Sequence, residues 1–292
     1  MFSPAPTPGK YISSTQQWQR LSPAENEAVN IDHLTIATLN VWFADYYFEQ
    51  RCRATLSLLE SLQPDVITLQ EVTPAFLAEM QKTSWIQGSY SLSDIYGDSV
   101  DPYGVIILSK LPIRSWEFLP LPSTMGRSLV TARAELSQKS IMVASVHLES
   151  KTQAAPTRTK QLARVFSLLD AEPNVILTGD FNFCSTWDEN RQLDPTYQDV
   201  WSVLHPADSG FSEDTDRNTM RLHFTGKRKQ VRFDRILLRS EESGWQAESI
   251  QLTGTEPIQD ATPDIFPSDH FGLVGRFVWQ PDRNPPIGGS QS

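Results

Sequence analysis

The segment Val175–Asn182 constrains the fold of this 292-residue chain more than any other stretch. It reads VILTGDFN, a continuous apolar run followed by a glycine and then by a carboxylate and a carboxamide. This pattern is typical of a buried strand that carries polar groups to the edge of a sheet. Side chains in an extended chain repeat every second residue, so we expect Asp180 and Asn182 to point the same way. A structural strand followed by an Asx turn would give the same pattern.

The charge of the chain limits its partners. With 35 acidic and 25 basic residues, the formal net charge is −10. Such a chain has no general affinity for polyanions, so contact with nucleic acid would need a local basic surface. The stretch Lys227–Arg235 contains Lys227, Arg228, Lys229, Arg232 and Arg235. A solvated hairpin tip explains this stretch at least as well as a track for phosphates does.

The sequence favours an intracellular protein. Its apolar runs are too short to cross a bilayer, so no transmembrane segment is predicted, and the amino terminus lacks the pattern of a signal peptide. Cys52 and Cys184 lie far apart and do not indicate a disulfide framework, which favours a reducing compartment. We therefore expect a cytoplasmic location.

Three regions are predicted from composition and periodicity. Residues 1–30 are rich in Pro, Ser, Thr and Gln without a sustained period, and we expect a flexible or loosely docked lead-in. Residues 31–279 alternate short apolar runs with amphipathic stretches, which predicts one α/β domain. Residues 280–292 contain three prolines and two glycines and are expected to be a disordered tail.

Strands and helices alternate within residues 31–279. The predicted strands are Leu34–Leu39, Asp65–Glu71, Gly104–Ser109, Leu129–Leu136, Ile141–His147, Val175–Asp180, Val231–Leu238 and Phe271–Val278. Helices are predicted around Cys52–Leu62, Ala75–Trp85 and Leu162–Leu169. Residues 184–225 are assigned mainly to loops, and a hairpin turn is expected near Ser137–Lys139.

Polar residues collect where these strands end or just outside them. They are Asn40, Glu71, His147, Asp180, Asn182, Asp269 and His270. Strand ends are where sites in layered α/β proteins are commonly assembled. Each residue also has a structural alternative, such as a turn cap for Asn40 or a core histidine for His147. Those alternatives would have to hold independently at every position, so we favour a shared site.

The chemistry of these residues indicates a metal-assisted reaction. Glu71, Asp180 and Asp269 offer hard oxygen ligands that suit Mg²⁺ or Mn²⁺, whereas no Cys/His spacing for structural zinc is present. We expect Glu71 to hold the metal and Asp180 to position or deprotonate a water.

The remaining groups are hydrogen-bond donors. Asn40 and Asn182 can donate to a phosphate oxygen without adding charge, and His147 and His270 can stabilise developing negative charge. The sequence has no G-x-S-x-G elbow and no Gly-rich phosphate loop followed by Lys-Ser/Thr, which disfavours acyl transfer and nucleotide-driven phosphoryl transfer. Hydrolysis of a phosphoester needs only the groups that are present.

Asp234 is expected to serve His270. It lies on the same face of its predicted strand as Ile236 and Leu238, where a carboxylate without a partner is costly to bury. Because neighbours in extended chain point to opposite sides, Asp269 is badly placed to serve His270. We therefore expect Asp234 to pair with His270 and to fix its tautomer.

Six short motifs occur in a recognisable order. They are TLN at Thr38–Asn40, LQEV at Leu69–Val72, SVHLES at Ser145–Ser150, GDFN at Gly179–Asn182, RFDRI at Arg232–Ile236 and SDH at Ser268–His270. From about Leu34 to Phe277 the chain thus resembles the endonuclease/exonuclease/phosphatase family. The resemblance implies a four-layer α/β/β/α sandwich with two mixed β-sheets packed face to face. It also implies a Mg²⁺-dependent phosphodiesterase or nuclease-type hydrolase that uses the groups described above.

Within this family the chain is most similar to the tyrosyl-DNA phosphodiesterases, which remove tyrosine from 5′ phosphate ends. The likeness lies in STMGR at Ser123–Arg127, HLES at His147–Ser150 and RFDRILLR at Arg232–Arg239. It implies DNA ends as substrate and places Arg127 near that substrate. The chain departs from the branch at Val41–Phe43, after Asn40, and at Phe181. RNA, nucleotides, inositol phosphates and phospholipids remain alternative substrates, and an inactive binding protein on the same fold is a further alternative.

Overall fold

The computed structural model describes residues 6–21, 29–136, 139–241, 244–258 and 264–281. The strands are β1 (Gly9–Ile12), β2 (Gln17–Arg20), β3 (His33–Asn40), β4 (Val66–Val72), β5 (Ser91–Leu92), β6 (Gly104–Ser109), β7 (Ile113–Pro120), β8 (Ser128–Leu136), β9 (Lys139–His147), β10 (Val175–Asp180), β11 (Gln198–Asp199), β12 (Glu213–Asp214), β13 (Gln230–Val231), β14 (Asp234–Arg239), β15 (Trp245–Thr253) and β16 (Gly272–Trp279). The helices are α1 (Phe48–Leu62), α2 (Pro74–Lys82), α3 (Ser84–Ser89), α4 (Ala155–Leu169), α5 (Val200–Leu204) and α6 (Thr219–Thr225), with short 3₁₀ turns at Thr152–Ala154 and Asp188–Gln192.

Two mixed sheets form the centre of the molecule. The first has the order β15-β16-β3-β4-β6-β5-β1-β2, in which β3 and β4 run parallel. The second has the order β11-β14-β10-β9-β8-β7, in which β9 and β10 run parallel. The other neighbouring strands in both sheets are antiparallel. Strands β12 and β13 pair separately as a small hairpin around α6.

Three clusters of buried apolar side chains show how the two sheets and the helices pack against each other. One cluster fills the space between the sheets, with Ile36 from the first sheet and Ile176 from the second. A second cluster joins the outer face of the first sheet to α1 and α2, and a third joins the outer face of the second sheet to α4. The order is therefore helix, sheet, sheet, helix. The predicted α/β/β/α sandwich is confirmed.

Helix α1 shows why these elements form where they do. Its buried face carries Cys52, Leu56 and Leu59 at helical spacing, and it packs on the first sheet. The helix ends at Leu62, and the next residue, Gln63, has a left-handed backbone directly before Pro64. Cys52 and Cys184 are both buried and free.

Gly179 allows the two parallel strands of the second sheet to approach. Its φ of +125° is rare for other residues, and a Cβ there would lie 2.0 Å from the carbonyl oxygen of Val146. Any larger residue would push β10 away from β9, so the glycine in the Val175–Asn182 segment is required by packing.

The structure corrects one prediction. Residues 9–20 form the hairpin β1–β2, which joins the first sheet through β5, so the flexible or loosely docked lead-in predicted for residues 1–30 is wrong for this part. Residues 184–225 contain the short helices α5 and α6 and the two-residue strands β11 and β12, with irregular segments between them. The predicted turn residues Ser137 and Gln138 lie outside the described residues, as do residues 282–292 of the predicted tail. None of the described helices combines the length and the apolar character needed to span a bilayer.

Candidate active site

Strand register brings the predicted residues to one edge of the sandwich. In the second sheet, Asp180 lies opposite His147 on β9 and opposite Asp234 on β14. In the first sheet, Asn40 ends β3 beside the end of β4, where Glu71 lies. Strands β14 and β16 run antiparallel to their neighbours, so their beginnings reach the same edge as the ends of β3 and β10. The groups predicted to share a site therefore converge.

Asp180 is the centre of this cluster. It is buried, and its Oδ2 accepts a hydrogen bond from Asn40 Nδ2 at 3.1 Å and lies 3.5 Å from His147 Nε2. Burial, followed by the negative charge of Asp234, raises the pKa of Asp180 to about 6. A carboxylate whose pKa lies near neutrality is a stronger proton acceptor than an ordinary aspartate, which suits it to act as a general base.

Glu71 has a strained backbone. Its φ is +61°, in the left-handed region, and the pairing of β4 with β6 is irregular between Leu69 and Val72. This bulge aims the side chain into the site, where Oε2 accepts a hydrogen bond from the backbone N–H of Phe43 at 3.0 Å. Burial, followed by the charge of Asp269, raises the pKa of Glu71 to about 7.

The surroundings of Glu71 fit a divalent cation. Among the described residues, no Lys or Arg forms an ion pair with this carboxylate, so its charge lacks a direct basic partner. Those residues also contain no group of three or more His, Cys, Asp or Glu side chains arranged to hold a metal ion. Mg²⁺ needs no such cage, because one or two carboxylates, waters and substrate phosphate oxygens can complete its shell.

His147 is held as a neutral donor. Arg127 Nη1 lies 2.9 Å from His147 Nδ1, and since a guanidinium only donates, Nδ1 must accept. The proton therefore sits on Nε2, which faces Asp180 and lies 3.8 Å from Glu71 Oε1. Burial, followed by the charge of Arg127, lowers the pKa of His147 well below 6.5, which keeps the ring neutral.

His270 is held as a cation. Its Nδ1 lies 2.7 Å from Asp234 Oδ2, so the predicted pairing is present. Burial alone would lower the pKa of His270, but Asp234 and Asp269 together raise it well above 6.5. Asp234 is fixed in turn by Ser212, whose hydroxyl accepts the N–H of Asp234 at 3.0 Å. The site thus contains one neutral and one charged histidine.

Asn182 does not follow the predicted geometry. The extended chain stops at Asp180, and Asn182 has a left-handed φ of +55°. Its N–H donates to Asp180 Oδ1 at 2.8 Å and its Nδ2 donates to the carbonyl of Leu148 at 3.0 Å. An Asx turn therefore coexists with the site, and the strand alternation from which we expected Asp180 and Asn182 to point the same way does not extend to Asn182.

Arg221 is a site neighbour that the sequence did not reveal. Its Nη1 lies 3.1 Å from Asp269 Oδ2, and its Nε donates to Glu213 at 2.8 Å. Helix α6 therefore contributes a cation to a carboxylate that follows it by almost fifty residues. No local pattern links the two positions, because only the fold brings them together.

Most of the basic stretch is paired within the protein. Arg228 pairs with Asp216 and Lys229 with Glu213, while Arg232 and Arg235 both reach Asp199. These contacts favour a structural role for the stretch over a track for phosphates.

A buried polar layer supports the site from below. Thr68 and Thr178 share a hydrogen bond of 2.8 Å between the sheets, and Gln70 donates to Thr38 and Ser145. The signal for this layer was present in the sequence, because each of these residues interrupts an otherwise apolar strand.

Known proteins share this architecture. The family model described as the Endonuclease/Exonuclease/phosphatase family matches residues 37–270. The chain is 34% identical over 257 residues to tyrosyl-DNA phosphodiesterase 2 of Xenopus laevis, covering 84% of this chain but 66% of that protein. It is 31% identical over 272 residues to the Homo sapiens protein of that name, covering 87% of this chain and 71% of that protein.

A solved structure agrees with these relatives. The crystal structure of D. rerio TDP2 complexed with single strand DNA product superposes with a TM-score of 0.73 at 28% identity, covering 84% of this chain and 98% of that chain. Together with the motif order and the converging site, these matches show that the chain belongs to the endonuclease/exonuclease/phosphatase family.

Proposed function

We propose that the protein is a Mg²⁺-dependent phosphodiesterase that hydrolyses phosphoester bonds at DNA ends, with a 5′-tyrosyl end as the favoured substrate. The observation that carries the proposal is the contact of Asp180 with Asn40 and with His147 beside Glu71. A proton acceptor, two neutral donors and an anionic metal ligand meet there. This set of groups is sufficient for the hydrolysis of a phosphodiester by water.

Asp180 accepts a proton from the attacking water in this proposal. The water oxygen forms a bond to phosphorus as the bond from phosphorus to the leaving oxygen breaks on the opposite side. Asn40 donates to Asp180 and holds its carboxylate in place. Because the pKa of Asp180 is about 6, the group is mostly ionised at neutral pH and ready to accept the proton.

The histidines stabilise the charge that develops on the phosphate. His147 offers the Nε2 proton that Arg127 fixes, and His270 offers its positive charge. Glu71 would hold the cation, with Asp269 as a second candidate ligand and Asn182 as a candidate phosphate contact. When bound, the cation would neutralise charge on the phosphate oxygens. A tyrosine leaving group has a pKa near 10, so it departs more readily than an alkoxide.

Aromatic side chains beside the site support a substrate with planar rings. Phe43 stacks on Tyr103 with ring centroids 4.7 Å apart and an interplanar angle of 8°. Tyr103 lies beside His147 and beneath the guanidinium of Arg127. Phe43 is 46% exposed, so its ring is accessible for stacking on a nucleobase or a tyrosine. The names of the relatives, tyrosyl-DNA phosphodiesterase 2, support the same substrate.

A substrate panel tests this proposal. The panel contains a 5′-tyrosyl oligonucleotide, an abasic duplex, single-stranded RNA, inositol phosphates and sphingomyelin, each with Mg²⁺ and with Mn²⁺. We expect the highest kcat/KM on the tyrosyl oligonucleotide and loss of turnover with Asp180→Asn. If another compound of the panel gave the highest kcat/KM, that compound would replace the tyrosyl oligonucleotide as the proposed substrate. If the folded protein hydrolysed none of the compounds, the alternative of an inactive binding protein would be favoured.

A further inference from the structure

The loop between β3 and α1 fixes two side chains of the site through its backbone. The N–H of Trp42 donates to Asn40 Oδ1 at 3.0 Å, which leaves Asn40 Nδ2 directed at Asp180. The next N–H, that of Phe43, donates to Glu71 Oε2 at 3.0 Å. A shift of this loop would therefore move the proposed metal ligand and the donor to the proposed base together.

Arg51 in α1 holds that loop. Its Nη1 donates to the carbonyl of Val41 at 3.0 Å, and its Nε donates to that of Tyr46 at 2.7 Å. Its Nη2 donates to the carbonyls of Trp42 and Ala44. One guanidinium thus donates to four backbone carbonyls within the six-residue segment 41–46. Among side chains, the guanidinium of Arg has enough N–H groups, in a forked arrangement, to do this.

The burial of Arg51 is not explained by an ion pair. The residue is 2% exposed, and among the described side chains no carboxylate lies within salt-bridge distance of it. Its guanidinium packs 4.6 Å from the centroid of the Trp42 ring. A buried cation is costly unless its hydrogen bonds are satisfied, and here the loop backbone satisfies them. Burial lowers the pKa of Arg51 to about 10, although the charges of Asp269 and Glu71 act to raise it.

We propose that Arg51 is a positioning residue for the reaction, which ties the 41–46 loop to α1 and thereby sets Glu71 for the cation and Asn40 for Asp180. This inference rests on the proposed function, because it gives Arg51 a role in the proposed active site. Arg51 is 2% exposed, so we place it in contact with neither the substrate nor the cation. Its effect passes through the two backbone N–H groups of Trp42 and Phe43.

Four variants of the 292-residue chain test the proposal, and one of them, Arg51→Ala, is used for rescue by added guanidinium. Arg51→Met removes the donors and keeps much of the side-chain volume, and Arg51→Lys keeps the charge but loses the fork. Arg53→Met is the matched control, since Arg53 lies two residues further on the same helix and its side chain is 71% exposed. The measurements are Mg²⁺ affinity by calorimetry, kcat and KM on the preferred substrate, and melting temperature.

We expect Arg51→Met to weaken Mg²⁺ binding by about 10-fold and to lower kcat by about 10- to 100-fold, which are usual effects of losing a group that orients metal ligands. Arg51→Lys should fall between wild type and Arg51→Met, and Arg53→Met should match wild type. Low-millimolar guanidinium should restore part of kcat to Arg51→Ala by refilling the space between the carbonyls.

Folded Arg51→Met with wild-type Mg²⁺ affinity and kcat would overturn the proposal. If Arg51→Met does not fold, Arg51→Lys decides the matter, because wild-type Mg²⁺ affinity and kcat in that variant would equally refute it. Calorimetry separates this proposal from the proposed function. The wild-type protein could hydrolyse none of the substrates while its Arg51 variants bind Mg²⁺ more weakly than wild type. That result would support the positioning role of Arg51 and refute the proposed function.

Discussion

Replacing Asp234 with Asn tests the proposed active site most directly. Asp234 Oδ2 lies 2.7 Å from His270 Nδ1, and both side chains are buried. The replacement keeps the size and shape of the side chain, so the packing of β14 beside β10 should survive. It removes the negative charge that holds His270 as a cation, and the amide can present its NH₂ group to Nδ1 and favour the wrong tautomer.

The size of the effect follows from the geometry. A hydrogen bond to a charged group contributes about 1.5–3 kcal/mol, and full burial means that solvent does not screen this one. Since about 1.4 kcal/mol corresponds to tenfold in rate, the loss of this bond alone lowers kcat by about 10- to 150-fold. The loss of positive charge on His270 adds to this, because that charge faces the developing phosphate charge. We therefore expect a decrease in kcat of at least about 100-fold.

The assay is steady-state hydrolysis of the preferred substrate with saturating Mg²⁺, accompanied by circular dichroism and thermal melting. His270→Ala and the double variant complete a cycle. If Asp234 acts only through His270, then Asp234→Asn should cost little further activity in the His270→Ala background. A well-folded Asp234→Asn protein with kcat within twofold of wild type would refute the reasoning.

Three other changes test other parts of the site. Glu71→Gln should abolish detectable turnover and weaken Mg²⁺ binding at least about 10-fold by calorimetry, and normal affinity would remove Glu71 from the metal site. Arg127→Met should lower kcat by about 10- to 100-fold because the tautomer of His147 is released, and nuclear magnetic resonance of the ring nitrogens should show a changed protonation pattern; an unchanged spectrum contradicts this role. Phe43→Ala removes the exposed ring and should raise KM for the tyrosyl oligonucleotide by about 10-fold with little change in kcat, whereas equal KM values would exclude stacking.

The sequence predicted the convergence of the site because strand ends were readable. Two of the predicted strands are apolar runs that stop at a carboxylate, Val175–Asp180 and Asp65–Glu71. In the structure, the two carboxylates lie at the same edge of the sandwich. The pairing of Asp234 with His270 was also predictable, because a carboxylate on an apolar face needs a partner. In each case the information lay within a few residues of the side chain concerned.

Backbone geometry was not predictable in the same way. Glu71 and Asn182 both have left-handed φ angles, and nothing in a list of residue types marks a glutamate for that conformation. The hydrogen bonds and packing around them hold these angles in place. The assumption of regular strand alternation therefore failed at Asn182 although the location of the segment was right.

Contacts between segments that lie far apart in the sequence were also not predicted. Arg221 reaches Asp269 only once α6 is packed beside the segment that precedes β16, and Arg127 reaches His147 through the pairing of β8 with β9. The hairpin β1–β2 was missed for a related reason. Its strands are four residues each, and the structure shows them paired at the edge of a sheet rather than held by their own apolar pattern.

In the proposed enzyme, the 41–46 loop would link the choice of substrate to catalysis. Its Phe43 ring is exposed for a substrate, while the N–H of the same residue holds Glu71. A change of backbone that re-aimed the ring would also move the proposed metal ligand, whereas a change of side chain at Phe43 would leave that N–H in place. Substrate preference at this loop should therefore vary through side chains on a fixed backbone, and Arg51 is the residue that keeps the backbone fixed.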